Sequence, residues 1–501
     1  MKTLLKLVIT ALLAINYFSL SAKTIKVQGV ISNDTVWDTD TVKVVGDVRV
    51  STSSCLTIMP GTYIELQGFY EILIDHGIIK ANGTINNPIT FTVADTTGYY
   101  RDEHIGWKGL NLKCYPFYYN CCTSIIKYCN IHYSKDYGLR VSPAKNQEIS
   151  DCNISHNSGN GIKIYYPGSV VLKNCVIYNN KGYGLYLKGY NKFSSINNTI
   201  YNNGGGIYID ADASSSEIDI INNTIYGNRS YMYGGGIFHD HDTKLSVKNT
   251  IIWGNSAKLG GNQYFRTHPN NEPEFFHCNI EGGKEYFGFY YDHSKEPYKY
   301  KYYDYNNINR EPYFISEKDF NFHLADSSSC INTGDPSTDI SGFPEDLGGN
   351  PRIYDSEVDI IDIGAYEYQG EPVNRSPIIV HSEDQQEFTN NKIHMSVEFF
   401  DPDSDDSHNI TVTTDNPAIS VINLKGDTTG STYELVSDSN WLGKAQILVN
   451  VEDTGGRCDI DTFNYEVSNN FYYIINEDTI WSADTVKINN NIIISSNATL
   501  T

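Results

Sequence analysis

The sequence predicts an all-β protein: a right-handed parallel β-helix, then a β-sandwich, then the start of a second β-helix. Three observations carry that expectation. The stretch SINNTIYNNGGGIYIDADASSSEIDIINNTIYGN, from Ser195 to Asn228, states nearly the same motif twice, and the GGGI of Gly204 to Ile207 returns at Gly234 to Ile237. Each copy holds two short alternating runs between Gly/Asn turns, with no run of helical periodicity. Composition agrees, since β-branched residues, Asn, Gly and Tyr crowd out Leu, Ala and Met.

The copies align on YCNI, DCNI, NCVI, NNTI, NNTI, KNTI and HCNI. They place Ile131, Ile154, Ile177, Ile200, Ile225, Ile251 and Ile280 at intervals of 23, 23, 23, 25, 26 and 29. A second ladder, Leu139, Ile162, Leu185, Ile207 and Ile237, keeps nearly the same step, and Asn157, Asn180, Asn203 and Asn228 form a third. Such periods indicate stacked repeats, and a propeller blade of about 40 residues needs more chain than each copy has. One coil per copy satisfies the pattern. Each strand then pairs with its equivalent one rung up, at about 4.8 Å, and Ile and Leu ladders fill the interior. Asn can bond along the stack at corners, where left-handed backbone is also tolerated, and Gly fits the tightest corners.

The first residues, MKTLLKLVITALLAINYFSLSAKT, set Lys2 and Lys6 against an apolar stretch ending in small residues near Ser19, Ser21 and Ala22. This pattern is a secretory signal over residues 1–22. No later segment is long and apolar enough to span a bilayer. A formal charge of −23 argues against nucleic acid and anionic membranes as partners, because both would be repelled. Neutral glycans and divalent cations stay open. The expected location is secreted or at the cell surface, without membrane insertion.

Ten cysteines in an exported chain suggest disulfides. Cys129, Cys152 and Cys175 instead fall at equal intervals, each two residues before a ladder Ile, and Asn198, Asn223, Asn249 and Cys278 take that place in later copies. A position that accepts either Cys or Asn reads as an inward stack of buried thiols, with disulfides between rungs as the other option.

The combination of GGGI with NNTIYxN resembles the repeats of parallel β-helix families, including the GGAI/FxxN repeats of polymorphic outer-membrane proteins. GDVRVSTSSCLTIMPGTYIEL, IIKANGTINNPITFTVAD and GWKGL resemble the leading coils of secreted right-handed β-helix proteins. CINTGDPSTD, DLGGNPRI and VDIIDIGAYEY resemble the choice-of-anchor Q segment that closes such helices in bacterial surface proteins. Gly349, Pro351, Arg352, Asp362, Gly364 and Glu367 stand where that pattern, G-x-P-R and then D-I-G-A-Y-E, predicts. VDIIDIG replaces the shorter VDIG. The resemblance spans residues 30 to 370 or so and implies an architecture and a surface location, not an activity. It divides the chain into leading coils over 23–124, repeats over 125–325 and a closing segment over 326–370. The polygalacturonase signatures N-T-D, G-H-G and R-I-K are absent. ILIDHG at Ile72 to Gly77 is similar to the W-I-D-H strand of pectate lyases, but the strand pattern of a leading coil accounts for it, so neither family supplies catalytic residues.

After the linker GEPVNRSP, alternating strands over residues 371–468 read as an immunoglobulin- or cadherin-like sandwich. Asp401, Asp403 and Asp405 alternate in DPDSDD, which is either a calcium site or a solvated acidic loop. An EF-hand is not met, since Asp406 and Val412 stand where it needs Gly and Glu. Calcium is the one cofactor indicated. DTIWSADTVKINNNIIISSNATLT, from Asp478, aligns without gaps on DTVWDTDTVKVVGDVRVSTSSCLT, from Asp34. Residues 469–501 thus read as the truncated start of a second β-helix in a longer chain, each module being monomeric.

Because a ladder residue points inward and its neighbour outward, three outward columns follow. One is Arg140, Lys163, Tyr186, Tyr208 and Phe238; the next is Ser142, Tyr165, Lys188, Asp210 and Asp240; the third is Ala144, Pro167, Tyr190, Asp212 and Asp242. Aromatics stepped by rungs can stack on sugar rings while flanking polar groups bind hydroxyls. Arg140, Lys163, Tyr165, Tyr186, Tyr190, Tyr208 and Phe238 are therefore the candidate contacts for a polysaccharide or surface glycan. Asp210 with Asp240, and Asp212 with Asp242, must share a cation or raise one pKa. With Lys188 and His241 they are the candidate catalytic group of a polysaccharide lyase or glycoside hydrolase. A stalk or display module needs only a solvated face. The expectation is a glycan-binding or adhesive surface protein, with enzyme and stalk as alternatives. The Tyr-rich insert of residues 285–307 reads as a cap over the helix end, with a lip over the groove as the alternative.

Overall fold

The computed structural model describes residues 23–97, 99, 106–114, 123–142, 146–165, 168–189, 191–211, 216–241, 243–268, 273–289, 306–354, 360–370, 374–380, 382, 384–387, 392–403, 406–426, 430–468, 472–475 and 491–494. The signal segment, Ala144, Pro167, Tyr190, Asp212, Asp242, Asp405 and most of the Tyr-rich insert lie outside the described residues. The chain forms two compact units, Met1–Ala325 with Cys330–Gln369 and Asp326–Ser329 with Gly370–Thr501. No described helix is long and apolar enough to cross a membrane.

The first unit is a parallel β-helix with three strands to the rung. Gln147–Ser150, Asn153–Ser155 and Asn160–Tyr165 make one rung, and Gly168–Lys173, Val176–Tyr178 and Leu185–Lys188 the next. We call the faces they build back, short and long, in that order. The back face is a ten-stranded sheet from Thr35–Trp37 to Glu274–Phe276. On the long face Leu139 pairs with Ile162, Ile162 with Leu185, Leu185 with Ile207 and Ile207 with Ile237, as the second ladder predicts. These residues, and Ile131, Ile154, Ile177, Ile200 and Ile225, are fully buried. Branched side chains at a 4.8 Å repeat fill the interior and hold the register, because a slip of one residue would turn every ladder outward.

The first ladder needs one correction. Ile225 pairs with Ile252 and Ile252 with Ile280, so Ile252, not Ile251, continues it. Its Cys/Asn position then passes from Asn223 to Thr250 rather than to Asn249, and runs on through Cys278 to Asn307. The position requires a small donor aimed at the back-face carbonyl one rung below. Cys175 Sγ lies 3.8 Å from the Ile149 carbonyl, Asn198 donates to Leu172, Asn223 to Ser195 and Asn307 to Phe275. Cys129, Cys152, Cys175 and Cys278 are buried free thiols; Cys114 is disulfide-bonded.

Bonding and backbone strain fall on adjacent residues at the corners. Asn157 donates its amide to Asn180 Oδ1, Asn180 to Asn203, Asn203 to Asn228 and Asn228 to Asn255, at 2.8–3.0 Å. The left-handed residues are the ones before them: His156, Asn179 and Asn202 at φ 58, 54 and 53°, with Gly227 taking over at 62°. A second left-handed column, Asp151, Asn174, Asn197, Asn222 and Asn249, precedes the short face. Asn and Gly recur because they reach this region at little cost. The last Gly of GGGI has a different reason. A Cβ on Gly206 would stand 2.2 Å from the Gly236 carbonyl oxygen.

The described residues of 330–369 do not close the end of the helix. They run along its side as a strap over the corner between back and short faces. Asn222 donates to the Asp362 carbonyl, and the Asn249 amide oxygen accepts from Asp335 N–H. Arg352, fully buried, ion-pairs with Glu367 at 3.3 Å and donates to Asn197. Asp362 accepts from Asn332 and Tyr368 N–H. Next to the strap, the hairpin of Phe314–Ser316 and Asn321–Leu324 sets Phe322 against Tyr201 and Tyr226 of the short face. At the far end Phe287, from the start of the Tyr-rich insert, packs on Tyr264 and Phe275 as a cap would.

The second unit is a β-sandwich. One sheet holds Ile378–Ile379, Lys392–Phe400, Gly430–Ser437 and Ile419–Gly426; the other holds Gln385–Glu387, Cys458–Val467, Gly443–Glu452 and Asn409–Thr414. Val397, Phe399, Ile447, Val449 and Phe463 share one core between them. Beyond it Tyr472–Ile475 pairs in parallel with Asn491–Ile494. Tyr473 faces Ile492 as Gly29 faces Val48, which is the register the gap-free alignment requires.

Candidate functional site

Alternation on the long face builds the site. Arg140 pairs with Lys163, Lys163 with Tyr186, Tyr186 with Tyr208 and Tyr208 with Phe238, so the first predicted column is continuous. Tyr165, Lys188, Asp210 and Asp240 align beside it.

The aromatic rings stack on each other. Tyr186 and Tyr208 have centroids 4.9 Å apart and planes 31° apart, and Tyr208 stands 4.9 Å from Phe238. Ring faces are thus largely spent within the column, which leaves ring edges for a ligand. Phe238 is a correction to the predicted surface. It is 5 % exposed, covered by Tyr233 and Phe265 from lengthened rungs, and belongs to the packing.

At the basic end, the Arg140 guanidinium lies 4.6 Å from the Tyr165 ring centre, and Lys163 Nζ lies 5.1 and 5.3 Å from Tyr165 and Tyr186. Such cation–π contacts contribute about 0.5–1 kcal/mol at exposed sites. Among the described residues no carboxylate forms an ion pair with either cation, and Arg140 Nε is buried without a hydrogen-bond acceptor.

The acidic end is internally satisfied. Asp210 accepts from Lys188 Nζ at 2.7 Å and from Tyr186 hydroxyl at 3.2 Å. Asp240 accepts from Tyr208 hydroxyl at 3.0 Å and from Thr267 at 2.6 Å. Burial, followed by these carboxylates, raises the Tyr186 and Tyr208 phenols, which stay protonated donors. The hydrogen bond to Asp210 raises Lys188. His241 Nε2 stands 3.4 Å from Asp210 Oδ1 and 4.0 Å from Asp240 Oδ2. Its ring stacks on His268 at 5.1 Å.

Two groups escaped the sequence reading. His268 and Thr267 extend the column one rung past Asp240, beyond where the second ladder stops. On the short face, burial and then the Glu317 carboxyl push Glu311 up to about 7, and Glu317 accepts from Tyr226 hydroxyl at 2.7 Å. Two acids of DPDSDD have basic side chains as partners. Arg375 binds Asp403 at 2.7 Å and His408 binds Asp401 at 2.7 Å, with Asp406 as the third acid nearby.

A stack of three-stranded parallel rungs with inward aliphatic ladders and one ordered outward column defines a right-handed parallel β-helix protein. Residues 117–271 match the family model of the right-handed β-helix region, and these residues include every rung of the column from Arg140 to His268. No curated protein matches the chain.

Proposed function

We propose that the chain is an exported, cell-surface β-helix protein whose long face binds an acidic polysaccharide, in recognition or adhesion. Arg140 and Lys163 carry the reading. They are register neighbours on adjacent rungs, with no carboxylate ion-paired to them among the described residues, and so form a local cationic patch in a chain whose net charge of −23 elsewhere repels anions. Two cations on adjacent rungs, whose strands run about 4.8 Å apart, repel, and a uronate or sulfate group bridging them removes that repulsion with charge-assisted hydrogen bonds. The edges of Tyr165, Tyr186 and Tyr208, with the Tyr186 and Tyr208 hydroxyl oxygens as acceptors, continue the surface along the sugar chain. The leader at residues 1–22 supports export, and the strap residues that resemble a choice-of-anchor segment support a surface location. Retention on an insoluble acidic glycan tests the reading: Tyr186→Ala and Tyr208→Ala should weaken it, and unchanged retention removes this face from consideration.

A second reading rests on Glu311. A carboxyl held near neutral pH beside a second carboxyl is the arrangement a glycoside hydrolase or lyase uses as general acid. New reducing or unsaturated ends released by the wild type and abolished in Glu311→Gln would establish it; no product from the folded protein would reject it.

A further inference from the structure

We infer that Asp240, His241 and His268 form a binding site for a borderline divalent transition metal of the zinc class. One ligand atom from each lies within 4.8 Å of the others, close enough for small side-chain rotations to bring all three onto one ion, with metal–ligand distances of about 2.0–2.2 Å. The placement follows from the rungs. Asp240 ends its strand, His241 sits at a left-handed corner of φ 75°, and His268 occupies the corresponding corner one rung on, its ring parallel to that of His241 within 23°.

The surrounding bonds orient the ligands as outer partners do in metal sites. Thr267 donates its one hydroxyl proton to Asp240 Oδ1, since a carboxylate only accepts. His268 Nδ1, 2.7 Å from the Thr267 hydroxyl oxygen, must then be the donor of that pair, which puts the lone pair of neutral His268 on Nε2. Tyr208 fixes the other oxygen of Asp240. Asp210 Oδ1, 3.4 Å from His241 Nε2, adds a second carboxylate, and Lys188 balances its charge. Two imidazoles and a carboxylate favour Zn²⁺ over Ca²⁺, which prefers oxygen ligands throughout. The set leaves a coordination position open to water or to a ligand group.

Titrating the full chain with Zn²⁺ alone, by calorimetry and by metal analysis after dialysis, tests the inference. The expected result is a single Zn²⁺ bound more tightly than about 10 μM, weakened at least about 10-fold in His241→Gln and in His268→Gln, and lost in the double variant. Thr267→Val, which touches no metal, should weaken binding about 10–100-fold at unchanged stoichiometry. The metal-free melting temperature of each variant reports its fold, and Asp240→Asn supplies an independent third test. No Zn²⁺ binding below about 100 μM, binding unchanged in the double variant, or Ca²⁺ binding equally well would each overturn it.

Discussion

Arg352 Nη2 donates to Asn197 Oδ1 at 2.6 Å, although 155 residues separate them. The strap therefore takes hold of the solenoid at a left-handed corner whose side-chain amide also donates to Asn174 in the column and to the Glu345 carbonyl of the strap. The same guanidinium reaches the Gly364 and Ala365 carbonyls and Glu367. Replacing Arg352 with Ala leaves Glu367 buried without its cation, and should cost about 3–5 kcal/mol. Limited proteolysis should then cut within residues 330–369 while the rungs survive. A variant as resistant as wild type would show that the strap is held elsewhere.

The thiol column predicts a labelling pattern. Burial pushes the Cys278 thiol up to about 12 and raises Cys129 and Cys175 as well, so these remain protonated and covered. Only the thiolate reacts at useful rates. An alkylating reagent should modify Cys55 and Cys458, which reach solvent, and should reach the column only after denaturation. Native labelling of Cys152 or Cys175 would contradict the packing.

His132 predicts an acid-labile solenoid. Burial, then the charge of His156, lowers its pKa from 6.5 to about 4. Between those values the unfolded chain binds the proton and the folded chain does not, so stability falls as pH drops from 6.5 and levels off below 4. The loss attributable to His132 is about 3 kcal/mol. Denaturant unfolding at pH 7 and 4.5 should show a smaller difference in His132→Asn than in wild type; equal differences would assign the effect to other groups.

The glycine corner makes a steric prediction. Gly206→Ala would press a Cβ onto the Gly236 carbonyl at 2.2 Å, and the rung must shift. A loss of about 1–3 kcal/mol is expected, as for overpacked cores. Gly227→Ala, with open space around it but φ 62°, should cost only about the 1–2 kcal/mol of a left-handed residue.

The rungs were legible because one coil is one repeat, and alternation then told inside from outside. The thiol column was legible too, although the reason that Cys and Asn exchange, a shared carbonyl acceptor, needed coordinates. NTI misled at Ile251, because an identical tripeptide sat one residue out of register in a lengthened coil, and strand pairing decides the frame. Phe238 looked exposed because Phe265, its strand partner one rung on, lies past the end of the second ladder, and Tyr233 comes from a lengthened turn. His268 was missed for the same reason. The strap was recognisable as a motif, but its grip on Asn197 is a long-range contact that no local pattern encodes.

The most direct measurement is calorimetric titration of an acidic oligosaccharide, a uronate or sulfated oligomer, into the wild-type chain and into Arg140→Ala/Lys163→Ala, with a neutral oligomer as control. The account predicts saturable, salt-sensitive binding of the acidic oligomer alone, weakened at least about 10-fold in the double variant, as expected for loss of two charge-assisted contacts. Equal affinity of wild type and variant, or equal affinity for the neutral oligomer, would contradict it.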